Sequence, residues 1–198
     1  DVMGKIDHFY DEIWVYGLED FADPLEGVAC PLAVRRKIIY TGYLRRAVPQ
    51  LTEAIAVPVG EQPYLLVTVG GGDDGMSVVD WVLKAYEHDP AIPFNSVVVL
   101  GPFMSPARQR EFRARAEALP RVRLLTFDST PEFLIANAAG VVSMGGYNTF
   151  CEILSFDKPA ILIPRTAPRQ EQLLRASRAA DLGLVRMLDI DSGNDPAV

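Results

Sequence analysis

Between residues 64 and 188, six short apolar runs alternate with five segments of helical periodicity. The runs are 64-YLLVTV-69, 95-NSVVVLG-101, 121-RVRLLTF-127, 140-GVVSM-144, 159-PAILIP-164 and 184-LVRML-188. Each has strand length and few polar positions, the pattern of strands buried on both faces. Between them lie a segment with Val78, Val79, Val82, Ala85 and Tyr86 at helical spacings, then 106–119 with Pro106 in its first turn. After these come 130–138 with Thr130 as N-cap and Pro131 at the first helical position, 148–156, and 169–183 ended by Gly183. A connection that carries a whole helix permits parallel pairing. The pattern predicts an α/β fold, a doubly wound parallel sheet of Rossmann-like type with helices on both sides. Ligands bind such sheets beyond the carboxyl ends of the strands. That places the candidate site in residues 70–75, 101–106, 127–131, 143–149 and 164–172.

The first 60 residues do not follow this rhythm. 12-EIWVYG-17 and 37-KIIYTGYL-44 read as strands, separated by a Pro- and acid-containing stretch. The expected division is residues 1–45 as the end of a preceding N-terminal domain plus linker, and 46–198 as a ligand-binding domain truncated at its C-terminus. Asp1 in place of an initiator Met and the turn-rich tail 189-DIDSGNDPAV-198 read as the ends of a piece cut from something larger.

Charge and cysteine content exclude several classes of function. Lys plus Arg number 19 and Asp plus Glu 26, a net charge of −7, which disfavours non-specific nucleic-acid or anionic-membrane binding. No run of 18 apolar residues exists to form a transmembrane helix. Cys30 and Cys151 make neither a disulfide framework nor a metal spacing, which fits a reducing, cytoplasmic setting. His8 and His88, the only histidines, lie outside the loops, so neither a histidine metal site nor a Ser–His–Asp or Cys–His arrangement can be assembled. The arginine-rich 108-RQREFRARAEALPRVR-123 reads as a solvated helix face with a Glu111–Arg115 pair, and Cys151 as core.

Three loops carry chemistry. The first, 70-GGGDDG-75, reads either as a plain tight βα turn or as a loop whose Gly71 and Gly72 let the backbone approach a ligand, with a helix N-terminus for a diphosphate. It has neither the spacing of a Walker loop nor that of G-x-G-x-x-G. Asp73 and Asp74 would repel phosphate. They read either as helix caps, or as contacts to a sugar hydroxyl or a divalent cation. The second loop, 143-SMGGYNTFCE-152, places Gly145 and Gly146 after a strand and Asn148 and Thr149 at the start of a helix. Glu152, four residues beyond Asn148, shares its face, either to accept from two vicinal hydroxyls or as a surface Glu. The third, 164-PRTAPRQEQLLRA-176, begins a helix with Glu171 and Gln172, as sugar-hydroxyl ligands or as a solvated helix start.

The order of a glycine loop, a Gly-Gly…Asn-Thr…Glu loop and a Pro…Glu-Gln loop resembles the C-terminal, donor-binding domain of GT-B glycosyltransferases. It is nearest to family 28, which includes the bacterial transferase that adds N-acetylglucosamine to the lipid-linked peptidoglycan precursor. It is also similar to the nucleotide-sugar transferases of plants and animals. The resemblance covers about residues 64–188, the C-terminal half of a GT-B architecture. It implies that Glu152 binds ribose hydroxyls, and that Gly145, Gly146, Asn148 and Thr149 surround the diphosphate. Phe127 and the backbone of Asp128 would meet the base, and Glu171 and Gln172 would hold the sugar. Gly71, Gly72 and Asp73 stand in the family's glycine loop, the last where relatives often have Ser. Met144 stands near the phosphate where many relatives have His.

The implied activity is transfer of a hexosyl group from a nucleoside-diphosphate sugar, a UDP-sugar foremost, to an unknown acceptor. The family's chemistry needs no metal or cofactor. Its acceptor site and catalytic base belong to the N-terminal domain, which leaves the fragment inactive alone and any peripheral membrane contact to that domain. Two other readings remain at this point: a nucleotide-sugar epimerase of the same fold, and a non-catalytic nucleotide-sugar-binding subunit.

Overall fold

The computed structural model describes residues 2–23, 25, 27–48, 62–71, 73–167 and 170–189. Gly72, Arg169 and the tail from residue 190 therefore lie outside the described residues, and Asp73 is described in its backbone alone. The chain divides into two compact units, Asp1–Arg45 and Arg46–Val198.

The first unit contains α1 (Val2–Phe9), β1 (Ile13–Val15), α2 (Leu32–Arg35) and β2 (Ile38–Tyr40). β1 and β2 pair in parallel, with Ile13 opposite Ile38. The two expected strands are present but shorter. The two helices were not foreseen: α1 has no buried residue, and α2 is a single turn in which only Val34 is buried.

The second unit holds β3 (Tyr64–Thr68), a 3-10 turn (Asp73–Gly75), α3 (Met76–His88), β4 (Asn95–Val99), α4 (Pro106–Glu117), β5 (Val122–Leu125) and α5 (Pro131–Asn137). It continues through β6 (Gly140–Ser143), α6 (Tyr147–Ser155), β7 (Ala160–Leu162), α7 (Glu171–Asp181) and β8 (Arg186–Met187). The six strands form one sheet in the order β5-β4-β3-β6-β7-β8, every pair parallel. The doubly wound sheet read from the sequence is the observed fold, and each strand is one to three residues shorter than its apolar run.

Strand order follows from the handedness of crossovers. From β3 the chain winds outward through α3 and α4 to β5, then returns through α5 to β6 and winds the other way through α6 and α7. Right-handed crossovers in opposite directions put the two sets of helices on opposite faces. On one face Val67, Val69, Val98 and Leu100 pack with Val78, Val79 and Leu83 of α3 and Phe112 and Ala116 of α4. On the other, Leu66, Val97, Val141 and Leu162 are buried, as are Leu134 and Ile135 of α5 and Phe150, Cys151 and Ile153 of α6. The winding changes direction between β3 and β6, the point at which sheets of this kind bind ligands beyond the carboxyl ends of their strands.

Three local expectations are corrected. Thr130 makes no side-chain cap to α5; the Asp128 carboxylate accepts instead from the Thr130 amide at 2.7 Å and its hydroxyl at 3.1 Å. The Glu111–Arg115 pair does not form. Arg115 turns to α3, to Asp80 at 2.6 Å and Glu87 at 2.7 Å, and Glu111 pairs with Arg108. A guanidinium between two carboxylates on a packed neighbour is better placed than one in a solvated i,i+4 pair. The N-cap of α3 is Gly75, not an aspartate, and Asp74 makes a different contact described below. No helix among the described residues is long and apolar enough to cross a membrane.

Candidate functional site

The glycine loop and the loop after β4 meet backbone to backbone. Gly101 has φ +87°, and a Cβ there would lie 2.1 Å from the Gly70 carbonyl oxygen. Only glycine accepts both the conformation and the contact. Phe103, on the same loop, is 77% exposed, and its ring lies over Gly71, 3.2 Å from where a Cβ of that residue would stand.

The second loop leaves β6 through Ser143, whose Oγ accepts from the Gly145 amide at 3.1 Å. Gly145 has φ +72°, and a Cβ there would press on Leu162 at 3.2 Å. Its carbonyl accepts from Arg175 of α7 at 2.9 Å, and the same guanidinium lies over the rings of Tyr147 and Phe150. Gly146 is the N-cap of α6, and no side chain caps the helix. The first-turn amides of a helix have no partner within it and carry the positive end of its dipole, a setting suited to an anion. Thr149 stands in that first turn, half-buried. The helix begins at Tyr147, one residue earlier than its pattern indicates. Met144 is buried and joins Val69, Leu100 and Ile163 in the core, so its side chain forms the floor beneath this loop.

Arg46 completes the group, and sequence reasoning missed it. Its amide donates to Ser155 Oγ at 2.9 Å, anchoring the chain at the end of α6. Its Nη2 donates to Asn148 Oδ1 at 2.7 Å, and its Nε is buried with no hydrogen-bond partner among the described residues. The only trace in the sequence is a pair of arginines after 42-GYL-44, with nothing local to connect them to a helix a hundred residues on.

Glu152 is 5% exposed, so it is not a surface residue. Burial first, and then the neighbouring charge of Glu132, push its carboxyl up to about 7, against the opposing pull of Arg46. A buried carboxylate with one nearby cation keeps acceptor capacity that polar hydrogens of a ligand can fill. Asn148 and Glu152 are four residues apart on α6, and Arg46 acts on both, on the first through a hydrogen bond and on the second through its charge.

The remaining candidates lie on the loops that follow β5 and β7. Phe127, past β5, is 61% exposed, and Asp128 is turned inward on Thr130. Gln172 is buried at the start of α7, where its Oε1 accepts from the Arg165 amide at 3.3 Å, while Glu171 beside it is exposed. Arg165 Nη1 reaches Asp74 Oδ2 at 2.6 Å, joining the first loop to the third. Gln172 therefore holds the third loop in shape, and Asp74 is an ion-pair partner. Neither pairing was foreseen.

The family model of the glycosyltransferase family 28 C-terminal domain matches residues 65–192. A protein of Methanosarcina acetivorans described as an uncharacterized glycosyltransferase is 28% identical over 156 residues, which is 78% of this chain and 38% of that relative. The chain therefore spans well under half the length of that relative. Among solved structures, MurG of Acinetobacter baumannii is similar with a TM-score of 0.66 at 13% identity, over 100% of this chain and 52% of its own. CalG4, the calicheamicin glycosyltransferase, gives 0.61 at 20% identity over 99% and 44%. VinC, a glycosyltransferase solved in complex with DTDP, gives 0.55 at 17% identity over 80% and 41%. At these identities the likeness is one of fold, the GT-B architecture.

Proposed function

The chain belongs to the glycosyltransferase family 28 C-terminal-domain family, and from that premise we propose that it supplies the donor-binding half of a transferase. The donor in this reading is a nucleoside-diphosphate hexose, a UDP-sugar foremost, and the acceptor is held by another part of the protein. The observation that carries it is the buried Glu152 beside Arg46 and Asn148, at the uncapped start of α6 and at the point where the sheet changes direction.

Each part of the donor has a counterpart. The diphosphate lies against the first turn of α6, with Gly145, Gly146, Asn148 and Thr149 around it. Arg46 supplies a full positive charge there, and its Nε, which has no partner among the described residues, is a donor left to a phosphate oxygen. Glu152 accepts from the ribose hydroxyls as a carboxylate. The exposed ring of Phe127 offers a stacking face to the base, next to the Asp128 backbone. Glu171, exposed at the head of α7, meets the sugar hydroxyls, and Gln172 sits behind it. Gly71, Gly72 and Asp73 are read as further donor contacts, of which Gly71 is the one described with its surroundings.

When an acceptor hydroxyl attacks the anomeric carbon, the bond to the distal phosphate breaks and negative charge grows on the leaving diphosphate. The α6 dipole and Arg46 are fixed in advance to stabilise that charge. The base that takes the acceptor proton lies outside residues 46–198 in this reading, so the chain binds donor without turning it over. The free thiols of Cys30 and Cys151 fit a cytoplasmic, reducing setting.

The test is a thermal-shift screen of this chain against uridine, thymidine, guanosine, adenosine and cytidine diphosphates and their sugars. A ligand at 100 times its dissociation constant stabilises by roughly 2.7 kcal/mol. At roughly 2–4 °C per kcal/mol for a chain of this size, the expected rise is about 5–11 °C. No shift with any of them at millimolar concentration overturns the reading.

A further inference from the structure

The ion pair between Asp74 and Arg165 is the one charged contact among the described residues that crosses the proposed donor crevice. Asp74 follows β3 and Arg165 follows β7, and these strands flank β6. The Asp74 carboxylate and the Arg165 guanidinium therefore meet across the carboxyl end of β6, in front of the loop that leads into α6. The contact is short, 2.6 Å, and formed by residues 91 apart in sequence. Among the described residues the guanidinium is engaged through Nη1, which holds Asp74, while Nε is buried and finds no hydrogen-bond partner there. The backbone of Arg165 is fixed by Gln172, so its side chain starts from a set position. The Asp74 side chain is 42% exposed, so it can leave the pair for water at little cost.

Resting on the donor-binding reading, we propose that Arg165 reads the distal phosphate of a nucleoside diphosphate and that Asp74 is its resident competitor. A carboxylate seated where an anionic ligand is expected behaves as an internal stand-in for it. The phosphate displaces Asp74 and offers the planar guanidinium a second acceptor for Nε, which the monodentate aspartate contact does not provide. Asp74 turns to solvent as the phosphate enters. A nucleoside monophosphate, whose only phosphate is the proximal one, does not open the pair. The site thereby selects diphosphate over monophosphate by exchange of one anion for another, and an empty site never leaves the Arg165 charge unpaired in the crevice.

The experiment is calorimetric titration of uridine mono- and diphosphate into this chain and into Asp74→Asn, Arg165→Met and the double variant. Removing the competitor, Asp74→Asn should raise affinity for the diphosphate roughly threefold or more while leaving the monophosphate within about twofold. Loss of a charge-assisted contact makes Arg165→Met at least about tenfold weaker for the diphosphate, again with the monophosphate nearly unchanged. The double variant should match Arg165→Met, because the competitor matters only when there is something to compete for. If Asp74→Asn and Arg165→Met weaken the diphosphate alike, the pair is a structural tie between loops and the proposal is overturned. An unchanged ratio of diphosphate to monophosphate affinity in Arg165→Met overturns it as well. Tight binding by the parent with either outcome leaves the donor reading standing. If the parent does not bind uridine diphosphate, the titrations are run with the nucleoside mono- and diphosphate pair that the thermal-shift screen selects, and failure of the parent to bind any nucleoside diphosphate removes both.

Discussion

The Arg46 guanidinium donates to Asn148 Oδ1 at 2.7 Å, across 102 residues of sequence. One bond ties the segment that enters the second unit to the first turn of α6, where the proposed diphosphate lies. It also brings a positive charge close enough to Glu152 to pull that carboxyl down against burial and Glu132.

Replacing Arg46 tests that arrangement. Hydrogen bonds to a charged group are worth about 1.5–3 kcal/mol, so Arg46→Met is expected to weaken nucleoside-diphosphate binding roughly 10- to 150-fold. Nucleoside binding, with no phosphate to hold, should change by less than about twofold. The carboxyl of Glu152 should rise further in the variant, because the one cation that lowers it is gone. Titration of that carboxyl by NMR checks the second outcome independently of any ligand.

Glu152 should make donor binding depend on pH. Ribose hydroxyls donate to the ionised carboxylate, so binding favours loss of its proton. With the carboxyl at about 7 in the free chain, affinity for a nucleotide sugar is expected to rise between pH 6 and 8 and then level. At pH 6 the shortfall from the plateau is about tenfold. A nucleotide sugar is the right probe, since its doubly esterified diphosphate does not titrate in this range. Glu152→Gln should bind more weakly at pH 8 and show no slope, and the 2′-deoxy ligand should lose less against the variant than against the parent.

The same carboxyl sets a trend in stability of the opposite sign. Its value is raised in the folded chain from 4.5 to about 7, so the folded state binds its proton more tightly. That contribution is fully present below about pH 4.5 and is lost as pH rises through about 7. At pH 8 a buried charge remains, and Glu152→Gln should be more stable than the parent by on the order of 2–3 kcal/mol. Below pH 4.5 the two should converge. Urea denaturation at pH 4 and pH 8 separates these outcomes, and a gap that does not depend on pH would contradict them.

Glu171 and Gln172 are adjacent, and their surroundings assign them different effects. Glu171 is exposed and should contact only the sugar. Glu171→Ala is expected to weaken the nucleotide sugar by about 1.5–3 kcal/mol while sparing the bare nucleotide. Gln172 is buried against the Arg165 amide, so Gln172→Ala should loosen the third loop and weaken both ligands together. Equal ratios of the two ligands in Glu171→Ala and in the parent would return that residue to a solvated helix start.

The sheet was legible because its strands are buried on both faces. Continuous runs such as 97-VVVL-100 cannot be satisfied except by helices above and below, and helical segments of 7–13 residues supply them. Glycines and small polar residues after β3 and β6 marked the loops for the same physical reason: backbone must come close there. What was not legible depends on partners distant in sequence. Arg115 had a local glutamate in reach and chose two carboxylates on α3; Thr130 had the right identity for a cap and yielded to Asp128. Arg46 and the Asp74–Arg165 pair have no local signal at all, because only the strand order brings them to the crevice.

The Arg115 cluster gives a prediction about folding alone. Burial pushes the Asp80 carboxyl up, but hydrogen bonds from Lys84 and Arg115 outweigh it and hold the group below its usual 3.8. That contribution is present above about pH 3.8 and lost as pH falls further. Arg115→Ala should cost about 1 kcal/mol at pH 7, partly solvated as the pairs are, and the gap to the parent should shrink below pH 4. Guanidinium denaturation is unsuitable here because its salt screens the pairs; urea at pH 7 and pH 3.5 reads the difference directly.

The account rests on a diphosphate seated at the start of α6, and a crystal structure of this chain with a bound nucleoside diphosphate tests that most directly. The expected result is phosphate oxygens within about 3 Å of the amides of residues 147–149 and of the Arg46 guanidinium, with both ribose hydroxyls on Glu152. A second concavity, an apolar recess of about 350 Å³ lined by Leu65, Gly140, Val142, Ile161 and Leu184, lies toward the amino ends of the strands. A nucleotide found there, or anywhere away from Glu152 and the first turn of α6, would contradict the account.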